Sequence, residues 1–273
     1  MSIRSSKAYR YTRKAIKILV PVSLGLYFIP KTLIVFFALG LLDASRNRPL
    51  NFSVLFSYFF GNGVLTWLLA PFNLLLDLLS LPYRNRGIYQ LDDLPAEYRE
   101  EIEETIAIFK RNPELIDKIV ESSKRQERTM VFFRWYGRYS DKPFELSEFD
   151  RPFKYLRSAG ISVFNKKSST GLHFGPLRVT IRVLYNLNKM RNDDVFIEVG
   201  DYKQKWKDDP LFIFDDTLRH RSVNESGELR VCVFADVLRP SLVPIVFSSI
   251  VRIIRTIFKR ANFLFYKNWK LLK

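Results

Sequence analysis

Phe214-Asp215-Asp216-Thr217-Leu218-Arg219-His220 is the stretch on which the reading of this chain turns. It lies in a block, residues 159–240, where short runs of Val, Ile, Phe and Leu are broken by turn residues. That is the pattern of an all-β barrel or sandwich. His220 and His173 are the only histidines among the 273 residues, and both fall in this block. Neutral imidazole is the commonest nitrogen ligand for metals. Spacing alone leaves two readings open: one metal site, or two unrelated histidines, one in a turn and one at a strand end.

Upstream the composition changes. The chain opens with Arg4, Lys7, Arg10, Arg13, Lys14 and Lys17 and no acidic residue. An apolar stretch follows from Ile18 to Leu42, interrupted by Pro21, Pro30 and Lys31, and a second runs from Phe52 to Leu81 around Gly61-Asn62-Gly63. About 20 apolar residues span a bilayer, so residues 15–82 are expected to form a membrane hairpin. Arg84 and Arg86 follow the second stretch. Positive charge at both hairpin ends predicts that both ends, and the rest of the chain, are cytoplasmic. The single Cys232 excludes an internal disulfide and reads as a small buried residue in Val231-Cys232-Val233-Phe234.

Between hairpin and block, Leu91 to Lys124 reads as helical, with a start near Asp92-Asp93, apolar Ile102, Ile106 and Phe109 at helical spacing, and a break at Asn112-Pro113. The stretch Phe132 to Tyr139 interleaves aromatic and basic residues and is open between a packed edge strand and a ligand contact. No recognised nucleic-acid fold accompanies it, so nucleic acid is not the expected partner. After Pro240 the tail is basic and free of Asp and Glu. Ile250, Ile253, Ile254, Ile257 and Phe258 mark one apolar helix face, with Arg252, Arg255 and Lys259 opposite. Phe263, Phe265, Tyr266 and Trp269 follow. Such a helix suits the headgroup layer of an anionic membrane, and the net charge of +16 agrees with that partner.

Three pieces of the block carry a resemblance. His173-Phe174-Gly175-Pro176 is followed by Arg182. Phe214-Asp215-Asp216-Thr217-Leu218-Arg219-His220 is followed by Asn224. Arg230 precedes Asp236-Val237-Leu238-Arg239-Pro240. In order and spacing these resemble the aspartyl/asparaginyl β-hydroxylase family of 2-oxoglutarate oxygenases. With the flanking apolar stretches and basic tail, the chain looks most like the bacterial lipid A 2-hydroxylases within it. The resemblance implies Fe(II) held by His173 and His220, with 2-oxoglutarate and O2 as co-substrates. It implies that Arg230, with Ser162 beside it, holds the distal carboxylate of 2-oxoglutarate, and that Arg182 lies near the carboxylate next to the iron. Gly175 stands where the wider superfamily has a carboxylate, and Leu184 where the family usually has a His. Asp215 and Asp216 read as turn residues or as supports for the ligands.

The expected architecture is α+β. A double-stranded β-helix (jelly-roll) oxygenase domain, with a helical N-terminal part, spans 91–240. N-terminal transmembrane helices lie within 1–90, and a C-terminal amphipathic helix lies within 241–273. The expected function is 2-hydroxylation of a secondary acyl chain of lipid A at the cytoplasmic face of a bacterial inner membrane. Arg134, Trp135 and Tyr136 are candidate substrate contacts. The alternatives are a hydroxylase of an ornithine lipid or of a protein Asp/Asn side chain, and an inactive membrane scaffold.

Overall fold

The computed structural model describes residues 27–139, 144–165, 167–258, 270 and 271, with scattered residues before 27. The basic N-terminal run, Lys259 and the tail aromatics Phe263 to Trp269 lie outside the described residues.

The two apolar stretches near the N-terminus fold into short helices. These are α1 (Pro30–Ala44), α2 (Phe52–Phe56), a π turn (Ser57–Gly61), α3 (Leu65–Leu68) and α4 (Ala70–Leu79). The expected transmembrane hairpin is therefore corrected. Among the described residues no helix is long and apolar enough to cross a membrane. At ~1.5 Å per residue even α1 reaches about 22 Å, against a hydrocarbon core of about 30 Å. The second stretch is cut where Gly63 takes a φ of 107°, and α4 restarts on Pro71 in its first turn. Hydropathy counted the apolar residues but not the few polar ones among them. Asp43, Asn47, Asn62, Asn73 and Asp77 hold this layer onto the β domain.

Downstream, β1 (Ile88–Tyr89) leads to α5 (Ala96–Arg111) and α6 (Pro113–Ser123). The break falls at Asn112-Pro113 as the sequence predicts, because Pro fits the first turn of a new helix but not the interior of one. Then come β2 (Arg128–Trp135), β3 (Arg138–Tyr139), β4 (Leu156–Phe164), β5 (Ser168–Ser169) and β6 (Thr180–Asn186). Next are β7 (Val195–Val199), β8 (Tyr202–Lys205), β9 (Leu211–Phe214), β10 (His220–Asn224) and β11 (Arg230–Leu238). Helix α7 (Pro244–Phe258) and β12 (Lys270–Leu271) close the chain. A large sheet runs β1-β9-β6-β11-β4-β2-β12 with β3 on β2, and a small sheet runs β5-β10-β7-β8. All pairings are antiparallel except β12 with β2. Two such sheets face to face make the jelly-roll barrel.

Alternation along β4, β6 and β11 sorts their side chains. Ala159, Ile161, Val163, Val183, Val233 and Ala235 face α5 and α6 in the largest core cluster. The opposite face looks into the barrel, where Leu184, Ile197, Trp206, Phe212, Phe214 and Cys232 pack. Leu184 and Cys232 are thus ordinary barrel packing, and Leu184 is 5% exposed. Gly160 marks the tightest approach in the sheet. A Cβ there would stand 2.3 Å from the backbone oxygen of Val131, beside the bulge in β2 at Phe132/Arg134. Backbone cannot yield as a side chain can. Gly160→Ala is expected to cost about 3 kcal/mol, the upper end for overpacking, read as a lower urea midpoint at unchanged slope.

Helix α7 is amphipathic, but the face it buries differs from the expected one. Phe247 and Val251 are buried against Leu76, Val179 and Leu238, with Ile250 and Ile254 packed alongside. Ile253 and Ile257 remain exposed. Burying Phe247 and Val251 stabilises the docking by roughly 1.5–3 kcal/mol each.

Candidate active site

His173 lies in the segment after β5, and His220 opens β10. The two residues exchange both backbone hydrogen bonds, His173 N–H to His220 O at 3.0 Å and the reverse at 2.9 Å. Directly opposed residues of an antiparallel bridge put their side chains on the same face. The imidazole centroids are 4.2 Å apart. Each ring is oriented by backbone: Nδ1–H of His173 donates to Gly171 O at 2.7 Å, and Nδ1–H of His220 donates to Leu218 O at 2.8 Å. A carbonyl only accepts, so the proton belongs on Nδ1 and the Nε2 lone pair is left available. Burial pushes both histidines below their ordinary pKa, and each has cationic or imidazole neighbours that act the same way. Two neutral, oriented imidazoles are what a two-histidine metal site requires.

No group of three or more His, Cys, Asp or Glu converges among the described residues. A carboxylate is nonetheless close by. Gly175 N–H donates to Asp216 O at 2.7 Å, and a Cβ on Gly175 would meet the Asp216 carboxyl at 2.7 Å. Asp216 thus fills the space a side chain at 175 would need, which is the physical reason for the glycine. Burial raises the Asp216 carboxyl to about 7, with Asp236 and Asp215 adding to the effect and Arg182 opposing it. Arg182 bridges Asp216 at 3.0 Å and Asp236 at 2.9 Å and lies over the Phe234 ring. The structure therefore brings Arg182 to the histidine end, already held by two carboxylates.

Arg230 is different. It is 2% exposed. It stacks at 3.9 Å over Phe164 and 5.6 Å from Trp206, and it donates to Ser222 Oγ. Its Nε and the Trp206 Nε1 are buried donors with no hydrogen-bond partner among the described residues. Burial lowers its pKa. Ser222 follows His220 by two residues on one face of β10, about 7 Å away. Ser162 stands opposite Cys232 and two residues from Phe164, on the face Arg230 occupies. A buried cation beside orphaned donors suits a carboxylate from outside the chain. Trp206 and Ser222 belong to this end, and nothing in their sequence context marked them.

Arg134 faces away from the barrel interior, and Tyr136 packs against the cluster of Leu76, Val179, Leu238 and Phe247. Arg134 pairs in register with Ala159 on the outer face of the sheet and is buried against Phe153. Asp215 is more than a turn residue. It accepts from Arg46, Asn85 and Thr217 and closes the loop that carries His220.

A model of the family described as aspartyl/asparaginyl beta-hydroxylase matches residues 97–240, more than half of the chain. No curated protein matches the chain. Among solved structures, a 2OG-Fe(II) oxygenase-family oxidoreductase from Burkholderia pseudomallei is 15% identical, over 35% of this chain and 49% of that one, at a TM-score of 0.26. The Cnp3 cupin domain of Schizosaccharomyces pombe is 12% identical, over 41% and 62%, at 0.29. The protein TT1209 of Thermus thermophilus is 14% identical, over 33% and 80%, at 0.26. The chain spans about half the length of the oxygenase structure.

Proposed function

The chain belongs to the aspartyl/asparaginyl β-hydroxylase family, and from that premise we propose that it is an Fe(II)- and 2-oxoglutarate-dependent dioxygenase that hydroxylates a membrane lipid. The favoured substrate is a secondary acyl chain of lipid A, hydroxylated at carbon 2 on the cytoplasmic face of a bacterial inner membrane. The observation that carries the hydroxylase reading is the pair of oriented, neutral imidazoles with Arg230, which has no ion-pair partner among the described residues, beyond them.

Nε2 of His173 and His220 would hold the metal, which when bound supplies oxygen activation. Arg230, with Ser222 and Trp206, binds the distal carboxylate of 2-oxoglutarate through charge-assisted hydrogen bonds. Arg182 keeps Asp216 and Asp236 in place beside the histidines. Phe214, whose ring lies 5.2 Å from His220, and the barrel packing behind it exclude water.

The lipid reading rests on where the apolar surface lies. Phe174, next to His173, packs on Tyr58 at 5.3 Å, and Asn62 donates to the Phe174 carbonyl. The helical layer thus adjoins the histidine end. Its outer side exposes Ile34, Val35, Phe52, Phe56 and Leu65, and α7 adds Ile245, Ile253 and Ile257. Apolar surface of that extent marks an interaction with a membrane or partner, and a surface-lying mode needs no crossing helix.

The test is mass spectrometry of lipids from cells with and without the gene. One added oxygen on a secondary acyl chain of lipid A, absent in a His173→Ala strain, is the expected result. An oxygen gained by an aminolipid instead would keep the reaction and replace the substrate. No lipid change would move the protein-hydroxylase and inactive-scaffold readings ahead.

A further inference from the structure

A second cationic site lies between the large sheet and α7. A cavity of about 240 Å3 is lined by Arg134, Tyr136, Arg157, Ser248, Arg252 and Arg255, among others, and among the described residues by no carboxylate. We propose that this cavity binds a phosphoryl group, a phosphate monoester received by the four guanidinium groups.

The hydrogen bonds of the lining arginines support this. Arg134 donates to the carbonyls of Phe149, Arg151 and Gly137. Arg157 donates to the carbonyls of Phe153, Leu156 and Lys154 and to Ser248 Oγ at 2.6 Å. Arg255 donates to Tyr136 O at 3.2 Å. Among the described residues every acceptor is neutral. The nearby Glu101 already takes the backbone N–H groups of Lys154, Tyr155 and Leu156.

Arg134 and Arg157 are 6% and 8% exposed; among the described residues neither has an ion-pair partner in the cavity, and the carboxylates that act on them, Glu101 on both and Asp150 on Arg134, are not among its lining residues. The Arg134 Nε is a buried donor without a partner among the described residues. Burial, and after it the Arg134 charge, lowers Arg157 to about 10. Arg255 is lowered by burial and then by Arg138 and Arg252.

Unbalanced like charge at this density is relieved by an anion. Phosphate matches it best, because its oxygens take the guanidinium fork in bidentate fashion and its charge approaches −2. Ser248 supplies a hydroxyl from α7, so a bound phosphoryl group would tie that helix to the barrel. The site stands on its own geometry and does not require the hydroxylase reading.

The experiment measures melting of the full chain in inorganic phosphate against chloride at matched ionic strength. Phosphate is expected to raise the melting temperature by several degrees, and the Arg252→Ala/Arg255→Ala variant to lose most of that shift. Arg252 is exposed, so Arg252→Glu alone serves as a second variant that keeps the fold. Absence of a shift in the unmodified protein, or an equal shift in the variants, overturns the site. Vesicles of phosphatidylcholine with phosphatidic acid, against equal charge as phosphatidylserine, identify the source. Preference for phosphatidic acid, competed by phosphate, supports the site with a lipid headgroup as ligand. Phosphate binding without that preference supports it with a soluble phosphorylated compound.

Discussion

Replacing His220 with alanine is expected to abolish succinate formation from 2-oxoglutarate and to lower Fe(II) affinity more than about 100-fold. Even partners outside a metal's ligand shell cost about 10–100-fold when removed, and His220 is one of only two imidazoles in the chain. The fold should survive. The ring contributes one side-chain hydrogen bond, to Leu218 O, worth about 0.5–1.5 kcal/mol, and the backbone bridge to His173 does not depend on it. Equilibrium dialysis with Fe(II), together with circular dichroism, separates lost ligation from lost structure. Arg230→Met provides the complement. It should leave metal affinity intact and raise the KM for 2-oxoglutarate by at least about tenfold, since a hydrogen bond to a charged group contributes about 1.5–3 kcal/mol. Undiminished iron binding in the His220 variant would remove the metal site. Unchanged KM in the Arg230 variant would remove only the co-substrate assignment.

The histidine pair was legible because its signal is local and chemical. Each motif places an imidazole a few residues from turn-forming groups, and β pairing then does the rest. The barrel was legible from alternating runs, and the helix break from Asn112-Pro113. The N-terminal layer was misread because hydropathy cannot distinguish a bilayer from a protein surface as the acceptor of an apolar face. Helix α1 exposes Ile34, Val35, Leu41 and Leu42 while burying Gly40, Asp43 and Ala44. The deciding residues are the polar ones, and their partners lie 103 to 172 positions away. The α7 register failed for a similar reason. Periodicity marks an apolar stripe, but the neighbours choose which part of a wide stripe is buried. Gly175 was read as a missing ligand, whereas in space it leaves room for Asp216.

Arg178→Ala is expected to release the helical layer from the barrel at a cost of about 3–5 kcal/mol, the penalty for breaking a buried ion pair from one side. Arg178 is 1% exposed and joins Asp43 at the end of α1, Asp77 in α4 and Asp215 in the loop before His220. Its Nε also donates to Thr217 Oγ1 at 3.1 Å. Arg46 holds Asp215 at 2.6 Å, and Arg239 holds Asp77 at 2.5 Å. Three arginines thus balance three carboxylates, and removing the central one leaves two cations for three anions, of which Asp43 and Asp215 are buried. Lysine should rescue little, because a point charge cannot serve three carboxylates in different directions. The same network predicts acid lability. Burial works against the Asp215 charge, but Arg46 and Arg178 outweigh it and hold the carboxyl well below its ordinary range. A depressed folded pKa gives stability that is complete above the unfolded value near 4 and is lost as pH falls below it. In the unmodified protein the layer should therefore detach as pH drops below about 4, and in Arg178→Ala at higher pH. Limited proteolysis within residues 45–82 and hydrogen exchange of α1, followed across pH 3–8, measure both effects. An Arg178→Ala protein as resistant as the unmodified one would mean that apolar packing alone holds the layer, and that the loop carrying His220 is positioned without it.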